Sequence, residues 1–175
     1  MARRAAVHRV GAPGRARALR PRLVVVAPDA AETARFAGGW LVDRVLAGWE
    51  ATVLCVEEGD PLPLRILGAR AAPLGPVPLA AVLRTRPHAV AVHAGLYAVD
   101  PWLRRLTDAA ASGGTEVILW GSPRLVAPGS CGAIPHLPSR AARLFKARAL
   151  AATAHPPPPT DPIELFRPTG PLPYP

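Results

Sequence analysis

The segment Leu23-Val24-Val25-Val26-Ala27 constrains the fold more than any other part of this chain. A continuous β-branched run without polar alternation reads as a strand covered on both faces, so layers must pack on either side of the sheet that holds it. The run leads directly into Pro28-Asp29-Ala30-Ala31-Glu32, a loop that carries two carboxylates. In open parallel α/β sheets, ligands bind outside the carboxyl ends of strands. Asp29 and Glu32 sit at such an end.

The rest of the pattern alternates. A helix is expected over 33–48, with Phe36, Trp40, Leu41, Val45 and Leu46 as its apolar stripe and Gly48 as its stop. Gly38 and Gly39 near its middle are costly in an exposed helix and fit close packing or a bend. Strands are expected at 51–56, 88–93 and 115–120, and helices at 78–86, 100–112 and from Ser139 to about Ala154. Residues 61–78 read as irregular, with one helical turn near Leu64. Asp100 is a good N-cap, and Pro101 stands where its missing N–H does no harm. This order requires parallel strands joined by right-handed crossovers. The expected fold is a Rossmann-like, three-layer α/β/α sandwich with a mainly parallel sheet. Trp40, Trp49 and Trp120 are expected in its core.

At 175 residues one folded domain is expected, over 22–154. An Arg-rich arm at 1–21 precedes it, and a tail at 155–175 with nine prolines follows. The net charge is +9, but seven arginines fall in the first 22 residues with no acid before Asp29, so the charge lies in the arm. That distribution argues against a specific nucleic-acid face. The tail suits docking to a protein partner. No apolar run approaches 18 residues and no signal peptide is visible, so no transmembrane segment is expected and the location reads as cytoplasmic. The abundance of Ala, Arg, Pro and Gly points to a GC-rich, bacterial genome. Neither a CxxC pair nor a Gly-rich phosphate loop occurs. Ser130 or Cys131 as a nucleophile would need a base, for which His136 is near in sequence. His155 stands in the Pro-rich tail.

The run Val24 to Gly39 (VVVAPDAAETARFAGG), followed by Gly48-Trp-Glu-Ala-Thr-Val-Leu-Cys-Val-Glu-Glu-Gly-Asp60, resembles the LmbE/PIG-L family. Arg86-Pro87-His-Ala-Val-Ala-Val and Lys146-Ala-Arg-Ala-Leu-Ala-Ala resemble its third strand and C-terminal helix. The resemblance implies a zinc-dependent N-deacetylase, an amide hydrolase acting on N-acetylated amino-sugar conjugates. It also marks a departure. In the family's HPDD loop the His, the general base and the last Asp correspond here to Asp29, Ala31 and Glu32. In its HPDH loop the last His corresponds to Leu103.

A divalent metal therefore has only Asp29, Glu32 and His93, at the end of the third expected strand, as candidate ligands. The alanine at the base position implies degenerate catalysis. Glu57, Glu58, Asp60 and Trp102 are the candidate residues for a sugar-type small molecule. Two other readings stand beside the hydrolase: a non-catalytic ligand- or partner-binding protein on the same fold, and an unrelated nucleotide-sugar-binding domain.

Overall fold

The computed structural model describes residues 20–126, 132–153 and 162–169. Most of the arm, the Gly129–Cys131 loop, His155 and most of the tail lie outside them.

Five parallel strands form the body of a seven-stranded sheet. They are β1 (Arg22–Ala27), β2 (Glu50–Cys55), β3 (Arg70–Pro73), β4 (Ala89–His93) and β5 (Glu116–Trp120). Two short strands, β6 (Ile134–His136) and β7 (Glu164–Pro168), complete it. The order is β3-β2-β1-β4-β5-β7-β6, with β7 antiparallel to both of its neighbours. The chain builds outward from β1 to β3 and then returns to start again at β4. The gap between the carboxyl ends of β1 and β4 is thus the topological switch point, where such sheets place ligands.

The helices are α1 (Ala30–Phe36), α2 (Gly38–Leu46), α3 (Leu62–Ile66), α4 (Pro76–Arg84), α5 (Ala94–Val99), α6 (Pro101–Ser112), α7 (Pro123–Val126) and α8 (Arg140–Ala151). They cover both faces. Successive residues of β1 divide between two cores: Leu23, Val25 and Ala27 face the layer with Leu41, Leu64 and Ala149, while Val24 and Val26 face Leu79, Leu103 and Val126. This accounts for the uninterrupted apolar run, since neither face of β1 meets water.

The expected helix 33–48 is two helices, broken at Ala37. Ala37 has no side chain with which to cap α2. The cap comes from Glu164, 125 residues away, whose carboxylate accepts hydrogen bonds from Gly39 N–H (2.8 Å) and Trp40 N–H (2.7 Å). Lys146 Nζ of α8 closes the cluster at 2.6 Å from Glu164 Oε1. The glycine pair makes this approach feasible: a Cβ on Gly39 would lie 2.4 Å from Pro138 Cγ and 3.2 Å from Glu164 Oε1.

The same cluster corrects the C-terminal boundary. Residues 164–168 fall within the segment expected to be an extended tail, yet they form a strand paired with both β5 and β6. The span read as irregular also contains β3, and the segments after β4 and β5 contain α5 and α7. Ser139 caps α8, its Oγ accepting from Ala142 N–H. Trp40 and Trp120 are buried, and Trp49 packs at the margin of the core. Among the described residues no helix is long and apolar enough to cross a membrane.

Candidate functional site

The β1–α1 loop turns as its sequence dictates. Asp29, in extended conformation, is the N-cap of α1, and its Oδ1 accepts the Glu32 N–H at 2.7 Å. An N-cap aspartate contributes about 1 kcal/mol to a helix. Thr33, fully buried, ties the same turn down through a bond from its hydroxyl to Asp29 O. Ala31 stands in the first turn between them and offers no group that can move a proton.

Glu32 faces across the switch point. Its Oε1 lies 3.8 Å from Nε2 of His93, the last residue of β4. His93 is only 6% exposed, and neither ring nitrogen has a hydrogen-bond partner among the described residues. The ring rests edge-on against Trp120, its register partner on β5, with centroids 5.0 Å apart. Trp120 Nε1 is likewise buried without a partner.

The β2–α3 loop forms the neighbouring half of the edge. Glu57, Glu58 and Asp60 line a cavity of about 200 Å³ together with Ala30, Cys55 and Leu64. Asp60 Oδ1 accepts the Leu62 N–H at 2.8 Å and so also holds the start of α3. Among the described residues none of these three carboxylates has a basic partner. The Cys55 thiol is pushed up to about 11 by burial and by the charge of Asp29, which leaves it protonated and unreactive at neutral pH. The first turn of α1 joins the two halves, with Ala30 lining the cavity and Glu32 facing His93.

Other expected residues fall elsewhere. Trp102 is half-buried against the core on the opposite face of the sheet from Trp120. Asp100 Oδ1 accepts the Trp102 and Leu103 N–H groups and caps α6. Leu103 is 1% exposed within that opposite core. His136 is held by Asp43 at 3.0 Å, and the same carboxylate oxygen accepts the Ser139 N–H. Ser130 and Cys131 lie outside the described residues. Trp120 escaped sequence reasoning as a site residue because a tryptophan in an apolar strand reads simply as core.

Among the described residues no group of three or more His, Cys, Asp or Glu side chains is placed to hold a metal ion. The position of the family's base is an alanine, and that of its last histidine ligand is a core leucine.

The fold recurs in solved structures. The A40926 pseudoaglycone deacetylase Dbv21 matches with a TM-score of 0.51 at 17% identity, over 74% of this chain and 80% of that one. The conserved protein TT1542 from Thermus thermophilus matches at 0.51 and 19% identity, over 74% and 77%. This chain has the LmbE-like α/β fold. The 4-carboxy-2-hydroxymuconate hydratase GalB from Pseudomonas putida matches at 0.50 and 15% identity, over 86% of this chain and 97% of that one. A deacetylase and a hydratase thus share the LmbE-like architecture, so function must be argued from the site. No protein-family model matches the sequence, and no curated protein matches it either.

Proposed function

We propose that this chain is a divergent LmbE-like protein that binds a small, hydroxyl-rich ligand of the amino-sugar class at the carboxyl edge of its sheet, without the metal-dependent hydrolysis of the family it resembles. The observation that carries this reading is the fate of the two motif loops. Asp29 and Asp100 both act as helix caps, and Leu103 is sealed in the core. With Ala31 between Asp29 and Glu32, the loop has no base to activate a water. What remains is a concave polar edge: a cavity rimmed by Glu57, Glu58 and Asp60 beside the Glu32–His93 gap. Such an edge supplies hydrogen-bond acceptors for sugar hydroxyls. A reducing, cytoplasmic setting suits Cys55, a buried free thiol.

The test is calorimetric titration of the full chain with N-acetylglucosamine and with glucosamine, with and without a chelator, beside an assay for acetate release. The reading predicts saturable binding that is indifferent to the chelator, and no acetate. Acetate release abolished by the chelator would overturn it in favour of a rebuilt metal centre.

A further inference from the structure

Among the described residues, the buried side-chain polar atoms without a hydrogen-bond partner belong to only three residues, Arg35, His93 and Trp120. Two of them stand together: His93 and Trp120 end adjacent strands in register with their rings 5.0 Å apart, and the Glu32 carboxylate approaches His93. Buried polar groups are ordinarily paired, and an exception calls for an explanation. Here two of the exceptions stand side by side at the carboxyl edge of the sheet.

We propose that Glu32 and His93, with Trp120 Nε1 beside them, bind one hydroxyl group of the ligand. This rests on the reading of the carboxyl edge as a sugar-type binding site and assigns the residues that do the recognition. At 3.8 Å the carboxylate and the ring nitrogen are too far apart to bond to each other. They are spaced to be bridged from one side, by an oxygen about 2.8 Å from each. A hydroxyl fits that position because it donates to the carboxylate while accepting from the ring N–H. An anionic group would meet the charge of Glu32.

The indole N–H of Trp120, a donor only, is buried without a partner beside the His93 ring. Glycines flank the ring: a Cβ would lie 3.0 Å from His93 Cε1 at Gly95 and 3.1 Å from Nε2 at Gly121. The Leu125 side chain packs over both glycines, and the residue is 41% exposed.

The experiment is imidazole ¹H–¹⁵N correlation spectroscopy of the full chain, titrated with N-acetylglucosamine and with glucosamine. His93→Leu assigns the resonance, and Glu32→Ala reports the partner. The expected result is a saturable shift of the His93 ring nitrogens with the same dissociation constant as calorimetry. Glu32→Ala should weaken binding about tenfold or more, as loss of a hydrogen bond to a charged group does. Binding that leaves the His93 signals unmoved would overturn this assignment and leave the ligand-binding reading intact. Failure of both sugars to bind would overturn both. His93→Leu keeps an apolar body against Trp120 and is expected to fold, so the assignment and the wild-type spectra decide the outcome even if Glu32→Ala does not fold.

Discussion

Two buried polar clusters flank α1 and α2, and they are built to opposite rules. At the start of α2 the Glu164 carboxylate, 2% exposed, meets two backbone N–H groups and the Lys146 ammonium. Across the switch point His93, nearly as buried, meets none among the described residues, and its closest charged neighbour stops 3.8 Å away. The first cluster satisfies its groups and fastens the C-terminal strand to the body of the fold. The second leaves its groups open at the edge where ligands bind. Burial alone therefore does not separate structure from site on this chain, whereas the state of pairing does.

The largest effect is expected from Glu164→Ala. It orphans the two α2 donors and leaves the Lys146 charge buried without a partner, a change that costs about 3–5 kcal/mol. Urea denaturation should show this as a shift of the midpoint. A smaller loss, about 1–3 kcal/mol by overpacking, is expected from Gly39→Ala, whose Cβ would meet Pro138 at 2.4 Å. Thermal melting checks it, and a melting temperature equal to wild type would break the claim that the glycine admits the cluster.

Much of the fold could be read before the structure. β1, β2, β4 and β5 are apolar runs whose signal is local, and Asp29, Asp100 and Ser139 announce their caps by residue type. The edges could not be read in this way. β3 is Arg-Ala-Ala-Pro, with no β-branched residue, and it becomes a strand only through its ladder with β2. β7 lies in a Pro-rich segment and is held by β5, β6 and the Glu164 cluster, all distant in sequence. Gly38-Gly39 signalled a bend, but the carboxylate that explains it stands 125 residues away. His93 was visible as a polar residue ending a strand. That both of its nitrogens lack partners is a fact of packing that no local pattern carries.

A weaker effect concerns acid. Burial would raise the Asp43 carboxyl, but hydrogen bonds from Ser139 and the nearby His136 ring outweigh it and hold the group below the ordinary aspartate value. A depressed carboxyl contributes stability that is fully present above the unfolded pKa and lost as the pH falls through the folded one. Wild type should therefore lose stability relative to Asp43→Asn as the pH drops below about 4. Denaturation midpoints of both chains from pH 6 to pH 3 would show the gap closing. A constant gap would remove Asp43 from the set of paired groups.

The smallest expected change in stability is at the open cluster. His93→Leu removes two unpaired buried nitrogens and keeps an apolar body against Trp120, so it should be neutral or slightly stabilising. The most direct test of the account is to measure this variant and Lys146→Met together by urea denaturation at pH 7. The account predicts a His93→Leu midpoint at or above wild type, and a Lys146→Met midpoint well below it. A large loss in His93→Leu with little change in Lys146→Met would contradict it, making the switch-point histidine the structural residue and the Glu164 cluster the dispensable one.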